Sequence, residues 1–285
     1  MNIRHFDQLP KPYLAYPKII QGLIRKKKSA QLALPELQYV VESLQIDPQH
    51  LQDYQEICGF AQDESVPAIY LAVLAQSLQM HMMTQEDFPF AVLGLVHIRN
   101  QVSQKRKINV HESLSLSCEF AESRLHEKGI EFDFKITAKV ADEIVMQGVS
   151  TYLSRQKQHA TGAMQKKADA VQLDYVLQEQ WLVAENTGRR YAMISGDFNL
   201  IHLHAFTAKA FGFKRAIAHG MWSKARALAS LALPDAYQVE VTFKLPLYLP
   251  STVEFMTCQQ GQQTDFLIRN AQSKKPHMTG VLQAL

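Results

Sequence analysis

Hydrophobic and polar residues alternate with period two in eight segments, four between residues 93 and 154 and four between residues 237 and 285. Such alternation predicts antiparallel strands with one buried face. An apolar helix precedes each group, over residues 67–83 and roughly over residues 220–232. A helix that is apolar over most of its surface must be buried, and a curved antiparallel sheet wrapped around it meets that need. The pattern therefore predicts the α+β class, with a helix inside each sheet.

The two groups of elements resemble copies of one unit. Residues 39–60 are similar to residues 174–197, because each segment begins like a strand and continues as a short amphipathic helix. Each helix ends in the pattern Tyr-x-x-x-x-Gly, at 54–59 in the first half and at 191–196 in the second. An internal repeat of this kind indicates two similar structural units.

The repeat divides the chain into two predicted domains, residues 1–155 and residues 171–285, packed as a pseudo-dimer. Residues 156–170 are polar and poor in large apolar side chains, which is typical of a linker. The second copy has an extra segment between Gly196 and His219, where the first copy has only a short connection. A segment that only one copy contains is not required by the fold, so it is a candidate for function.

Composition is that of an ordinary globular protein. The chain has 285 residues, of which 47% are hydrophobic and 20% charged, and its formal net charge is +3. This charge is too small to predict a nucleic-acid partner, and the basic run at 24–28 is typical of a solvated surface. We predict neither a signal peptide nor a membrane span. The three cysteines form neither a disulfide framework nor a metal motif, so we expect a cytoplasmic protein.

The extra segment carries an acid and an imidazole close together. Asp197 and His202 can hold one water or hydroxyl between them, one group removing a proton while the other orients or donates. The amide of Asn199 can fix that arrangement. A structural alternative stays open, in which Asp197 caps the following helix and His202 is an ordinary satisfied side chain. The H-x-H spacing of His202 and His204 favours a metal only weakly.

The start of the second apolar helix, at His219 and Gly220, is another candidate element. A helix N-terminus presents unpaired N–H groups and the positive end of the helix dipole. Because Gly220 has no side chain, an acyl oxygen can approach its N–H closely, as an oxyanion site requires. The alternative is a tight turn with a structural His219. His97, on a strand-like segment of the first half, is interpreted as structural.

The segment YAMISGDFNLIHLHAFTAKAFGFKRAIAHGM (191–221) resembles the hydratase motif of MaoC-like (R)-specific enoyl thioester hydratases and dehydratases. The similarity includes the Ser-Gly-Asp, Asn-x-Ile-His, Gly-Phe and Ile-Ala-His-Gly-Met elements. The whole chain is similar to double hot-dog members of this family, and residues 87–108 of the first half support the similarity. The resemblance implies a double hot-dog fold, in which a long helix is wrapped by an antiparallel sheet.

The resemblance also implies a reaction, the reversible hydration of trans-2-enoyl thioesters to (R)-3-hydroxyacyl thioesters. The substrate would be a thioester of coenzyme A or of acyl carrier protein, and no metal or other cofactor is needed. The family allows a homodimer and implies no nucleic-acid or membrane partner. The site residues implied by the resemblance are Asp197, His202 and Asn199 for catalysis, and Gly220, His219, Ile217 and Phe213 for oxyanion and substrate binding.

The first half lacks the corresponding acid, because Phe60 stands where the second half has Asp197. We therefore predict that the N-terminal domain is non-catalytic and makes room for the acyl tail. Met80, Met82 and Met83 are candidates for lining that space, although core packing is the commoner role of such residues. Two other functions stay open: an acyl thioesterase, since hot-dog proteins also hydrolyse thioesters, and a non-catalytic subunit that binds acyl thioesters.

Overall fold

The computed structural model describes residues 2–19, 33–156 and 173–285. The predicted linker, apart from its first residue, and the basic run at 24–28 lie outside these ranges. The elements, in chain order, are β1 Asn2–Phe6, a 3-10 helix Pro12–Ala15, β2 Leu37–Leu44, α1 Pro48–Cys58, α2 Ala68–Met83, β3 Leu95–Gln104, β4 Leu114–His126, β5 Gly129–Val140, β6 Glu143–Arg155, β7 Val176–Val183, α3 Thr187–Ser195, α4 Leu200–Leu203, α5 Ala205–Ala210, α6 Gly220–Ala229, β8 Tyr237–Phe243, β9 Ser251–Gln260, β10 Gln263–Asn270 and β11 Pro276–Ala284.

The described strands form one sheet in the order β1-β2-β4-β5-β6-β3-β8-β11-β10-β9-β7. The order β2-β4-β5-β6-β3 of the first half recurs as β7-β9-β10-β11-β8 in the second half. The corresponding strands β3 and β8 pair antiparallel, from Arg99 opposite Thr242 to Gln104 opposite Tyr237. Because equivalent strands meet in an antiparallel pair, the two halves are related by an approximate two-fold axis. The α+β architecture predicted from the hydrophobic pattern is confirmed.

The repeated glycines terminate the short helices α1 and α3. Gly59 and Gly196 have left-handed backbone conformations, with φ of 80° and 72°. A glycine adopts this conformation without the steric cost that a side chain imposes, so it ends a helix well. After α3, the turn at Gly196 leads the chain directly into Asp197. The feature that marks the repeat in the sequence therefore also sets the start of the extra segment.

Helices α2 and α6 are the two apolar helices of the sequence pattern. Helix α2 packs against β2, β3, β4 and β5, and 12 of its 16 residues are buried. It begins one residue later than predicted, because Pro67 is its N-cap. Helix α6 ends at Ala229 and not at residue 232, because the chain tightens there: the N–H groups of Ser230 and Leu231 donate to carbonyls three residues back.

The methionines at the end of α2 belong to the core. Met82 and Met83 are buried, and Met80 packs against the same cluster. Core packing, the commoner role, therefore describes them, and their contact with an acyl tail stays a prediction. Among the described residues, no helix combines the length and apolar character that a membrane crossing requires.

A polar seam between the halves fixes helix α6. The indole N–H of Trp222 donates to the carbonyl of Ile57 at 2.9 Å. Nζ of Lys224, a fully buried residue, donates to Oδ1 of Asn100 at 2.6 Å. Burial lowers the pKa of Lys224 well below its usual range. Because buried polar groups are stable only when they find partners, these contacts hold α6 in one position against the N-terminal half.

Candidate active site

Asn199 organises the loop that follows α3. Its side-chain oxygen accepts a hydrogen bond from the N–H of Ile201 at 3.4 Å, so Asn199 is the N-cap of α4. Its own N–H donates to Oδ1 of Asp197 at 3.1 Å, and its carbonyl accepts from the N–H of His202 at 2.9 Å. One residue therefore fixes both the acid and the imidazole. The cap of this helix is Asn199, so the alternative in which Asp197 caps it is wrong.

The carboxylate of Asp197 faces the two buried imidazoles and is itself 29% exposed. Burial acts to raise the pKa of this carboxyl. Electrostatic interactions with His219 and His202 and the hydrogen bonds from Asn199 and Tyr16 outweigh burial, and they hold the pKa below its usual value. Asp197 is therefore ionised at neutral pH, at a position that solvent can reach.

His202 is held as a neutral imidazole. Its Nδ1 lies 2.8 Å from the carbonyl oxygen of Ile217, and a carbonyl only accepts, so Nδ1 carries the hydrogen and donates. Burial lowers the pKa of His202, although Asp197 acts in the opposite direction. At neutral pH, Nε2 consequently has a free lone pair and is available as a base. Ile217 is held in turn by its N–H, which donates to the carbonyl of Ile201 at 3.1 Å.

His219 lies against His202, with the ring centroids 3.7 Å apart and the planes inclined by 27°. Its Nε2 donates to the backbone carbonyl of Asp197 at 3.0 Å and lies 3.9 Å from Oδ2 of the same residue. Burial, followed by the electrostatic interaction with His202, lowers the pKa of His219 to about 3. Among the described residues, its buried Nδ1 has no hydrogen-bond partner. His219 is therefore neutral at neutral pH. Its hydrogen bond to the Asp197 carbonyl connects the Asp197 loop to the start of α6.

Gly220 is the first residue of α6, so its N–H has no acceptor within the helix. A Cβ added at Gly220 would lie 2.9 Å from Cε1 of Phe243, which is closer than side-chain carbons normally approach. The glycine is therefore required by the packing of Phe243 over the start of the helix. The role of its N–H as an oxyanion donor stays a prediction.

Phe213 is the one predicted site residue that these contacts leave out. It lies half-buried in the loop after α5, where its N–H donates to the carbonyl of Ala208 at 3.1 Å. The hydrogen bonds and ring contacts described for Asp197, His202 and His219 do not involve it. Its contact with substrate stays a prediction, whereas the structure brings the other six predicted residues together.

The N-terminal half also reaches this site, with Tyr16, which no pattern in the sequence singles out, and with His97, which the sequence pattern indicates is structural. The hydroxyl of Tyr16 donates to Oδ1 of Asp197 at 3.4 Å. His97 stacks on Tyr152 at 4.6 Å and meets Phe243 edge-on at 5.2 Å. Burial, above all, lowers the pKa of His97 to about 3. The Asp197 charge acts on the pKa of both His97 and Tyr152, so this aromatic group lies within electrostatic reach of the carboxylate.

Asp197, His202 and His219 present potential ligand atoms within 4.8 Å of one another. Such a cluster can hold a water molecule or a cation. One nitrogen of each imidazole already donates to a backbone carbonyl, which leaves one lone pair on each ring, at Nε2 of His202 and at Nδ1 of His219. The arrangement suits one water molecule or one cation. The absence of a metal from the site stays a prediction.

The chain is similar to known proteins of one family. Residues 158–280 match the MaoC like domain. The chain is 31% identical over 258 residues to the 3-hydroxyacyl-thioester dehydratase X of Mycobacterium tuberculosis, covering 88% of this chain and 91% of the relative. The crystal structure of HtdX from that organism has a TM-score of 0.76 at 30% identity, covering 87% of this chain and 100% of the other.

A further structure supports the fold alone. A conserved protein of Mycobacterium tuberculosis with a double hotdog fold matches with a TM-score of 0.56 at 12% identity, covering 93% of this chain and 97% of the other. The double hot-dog fold implied by the sequence resemblance is confirmed. Since the similarity to the dehydratase extends over most of both chains, this chain belongs to the MaoC-like family.

Proposed function

We propose that the protein is a hydro-lyase that adds water reversibly to trans-2-enoyl thioesters, giving (R)-3-hydroxyacyl thioesters. The observation that carries the proposal is the neutral His202, whose Nδ1 is committed to the Ile217 carbonyl while Nε2 is free beside the ionised Asp197. This pair can bind and activate one water molecule. The name of the 31% identical relative, a 3-hydroxyacyl-thioester dehydratase, describes the same reaction in the opposite direction.

The reaction needs only one proton carrier. Nε2 of His202 takes a proton from the bound water as its oxygen bonds to C3 of the enoyl group. The electron pair of the double bond moves towards the thioester carbonyl, and the resulting imidazolium then returns the proton to C2. Asp197 stabilises that imidazolium by its charge and holds the water. Because the hydroxyl and the proton arrive from one side, the addition is syn.

The thioester oxygen gains negative charge during this step, and we assign its stabilisation to the N–H of Gly220. The N–H lies at the start of the ten-residue helix α6, where the helix dipole is positive. This assignment gives each end of the substrate a separate partner: the acid and imidazole act on C2 and C3, while the helix start acts on the carbonyl.

Substitution of Gly220 by alanine tests the oxyanion assignment. The new Cβ would lie 2.9 Å from Phe243, so either the ring or the helix start must move. We expect kcat to fall by about 10²-fold, the magnitude of a lost oxyanion donor. Adding Phe243→Leu makes room for the methyl group and should restore part of kcat. Full turnover by the Gly220→Ala enzyme would contradict the assignment.

Direct assays separate the proposed reaction from the two alternatives. Purified protein should consume crotonyl-CoA or a longer enoyl-CoA, seen as loss of the conjugated thioester absorbance, and chiral chromatography should show the (R) product. Release of free thiol from the same substrate would instead indicate a thioesterase. Binding of the thioester without either reaction would indicate a non-catalytic subunit.

Removal of divalent metals should leave the rate unchanged. The proposed steps use water, a carboxylate, an imidazole and a backbone N–H, so none needs a cation. We expect protein dialysed against EDTA to keep its kcat, and added Zn²⁺ to occupy the site and inhibit. Loss of activity on dialysis, with recovery on adding Zn²⁺, would instead make Asp197, His202 and His219 a metal site.

The carrier, the assembly and the location extend the proposal. We propose coenzyme A or acyl carrier protein as carrier of the acyl group, a cytoplasmic enzyme, and an N-terminal half that accommodates the acyl tail. A homodimer is compatible with the family. Measuring kcat/KM for a series of chain lengths on both carriers identifies the preferred thioester, and sedimentation velocity gives the assembly.

A further inference from the structure

The segment before residue 20 crosses from the N-terminal half to the catalytic loop of the other half. Its strand β1 pairs with β2 in parallel, from Asn2 opposite Leu37. The hydroxyl of Ser77 on α2 donates to the carbonyl of Pro10, and Nε2 of His81 donates to the carbonyl of Lys11 at 3.0 Å. These contacts anchor residues 10 and 11 on helix α2.

The next residues of the segment pack on the turn that precedes Asp197. A Cβ added at Gly196 would lie 2.5 Å from Cγ of Pro12, so the proline ring occupies the space that a side chain would need. Ala15 is fully buried, and Ile19 is nearly so. The segment therefore has a defined position between α2 and the Asp197 loop.

Tyr16 makes the contact with the catalytic loop. Its hydroxyl donates to Oδ1 of Asp197 at 3.4 Å, and the backbone of Phe198 also hydrogen-bonds the phenolic oxygen. Burial, followed by the charge of Asp197, raises the pKa of Tyr16 far above its usual value, so the phenol stays protonated. A protonated phenol beside a carboxylate has one favourable role, which is to donate to it.

We propose that Tyr16 is a positioning residue for the catalytic carboxylate, delivered by the N-terminal segment to the opposite half of the molecule. The inference rests on the proposed function, because it assigns Tyr16 to the group that holds the water. With the N–H of Asn199 and the hydroxyl of Tyr16 both on Oδ1, the carboxylate is turned so that Oδ2 is left for His219 and the water.

In the described part of the chain, five titratable side chains besides Tyr16 lie close enough to Asp197 for its charge to act on their pKa values. His219 precedes α6, His202 lies in α4, His97 in β3, Tyr152 in β6 and Tyr191 in α3, and each is influenced by the charge of Asp197. Among the described residues, the hydrogen bonds to the Asp197 carboxylate come from the hydroxyl of Tyr16 and the backbone N–H of Asn199, and none comes from these five side chains. Removing the hydroxyl of Tyr16 thus deletes its contacts with Asp197 and with the backbone of Phe198, and leaves the other groups around Asp197 as they are.

Tyr16→Phe is the test, because it removes the hydroxyl and keeps the ring. We expect kcat to fall about tenfold while KM changes by less than about twofold. The lost hydrogen bond orients Asp197, which holds the water, and it does not contact the acyl group. Loss of a hydrogen bond to the charged form raises the carboxyl pKa. The acidic limb of the kcat profile should therefore move to higher pH.

Tyr13→Phe is the matched control, since Tyr13 lies in the same segment and is 51% exposed. This variant should match the wild type in kcat, in its pH profile and in melting temperature. If Tyr16→Phe also matches the wild type in kcat and pH profile, the inference is overturned. If it lowers the melting temperature but leaves the pH profile unchanged, Tyr16 only fills space, which overturns the inference as well.

A measurement without substrate separates this inference from the proposed function. In protein labelled with ¹³C at the aspartate carboxyl groups, the Asp197 resonance is identified by its loss in Asp197→Asn. We expect its titration midpoint to be higher in Tyr16→Phe than in the wild type. If the wild type hydrates no enoyl thioester, the proposed function fails while this titration still decides whether Tyr16 controls Asp197. Equal midpoints would refute the role of Tyr16 even in an active enzyme.

Discussion

Replacing His202 with alanine should lower kcat by roughly 10²- to 10⁴-fold, the range that a lost general base produces. Its ring is the only one in the cluster that combines a free Nε2 lone pair with a tautomer fixed at Nδ1 by the Ile217 carbonyl. His219 is the neighbouring ring, but its Nε2 donates to the carbonyl of Asp197 and its remaining lone pair, on Nδ1, is buried. Steady-state kinetics with an enoyl-CoA measures the loss.

His204→Ala is the control for this variant. His204 belongs to the same short segment but is exposed, and its ring nitrogen lies 3.5 Å from the guanidinium of Arg189. We expect this variant to keep wild-type turnover. If both histidine variants were equally active, water would have to be activated by another group, and the proposed mechanism would fail.

The pH dependence of stability follows from the same buried rings. The pKa of His202, His219 and His97 is lowered by burial in the folded protein, while the unfolded chain has the ordinary histidine value near 6.5. The unfolded state therefore binds more protons below that pH. Their contribution to stability is present above about pH 6.5 and is lost as the pH falls towards the folded-state values. Activity assays at acid pH must consequently be accompanied by a measurement of folding.

The architecture was predictable because it depends on periodicity. A strand with one buried face must alternate, and a helix enclosed by a sheet must be apolar nearly all round, so β3–β6, β8–β11, α2 and α6 follow from the hydrophobic pattern. The repeat was visible because Gly59 and Gly196 perform the same left-handed turn. The extra segment was visible because only the second copy contains it.

The contacts across the two halves were not predictable from the sequence. Tyr16 and Asp197 are 181 positions apart, and no periodicity relates them. Lys224 looks like a solvated charge in the sequence, yet it is buried against Asn100 of the other half. His97 lies on an ordinary alternating strand, and only the pairing of β3 with β8 brings it to Phe243. Each of these positions depends on how the pseudo-dimer assembles, and that geometry is absent from local patterns.

The second large effect is expected for Asp197→Asn. The amide has the size of the carboxyl group and keeps an oxygen that can accept from the Asn199 N–H and the Tyr16 hydroxyl. It removes the negative charge that holds the water and stabilises the imidazolium. We expect kcat to fall roughly 10²-fold or more.

The negative charge of Asp197 also acts on the pKa of the neighbouring histidines, so Asp197→Asn should have a second measurable effect. Asp197 raises the pKa of His202 and His219, so its neutralisation should lower both and move the histidine titrations to more acid pH. Proton NMR of the imidazoles checks this shift. Asp235→Asn, at an exposed carboxylate paired with Lys107, should change neither kcat nor these titrations.

Because Asp197 and His202 act on one water molecule, the double variant Asp197→Asn/His202→Ala should be hardly slower than His202→Ala alone. Fully multiplicative losses would mean that the two side chains act independently, and the shared water would have to be abandoned.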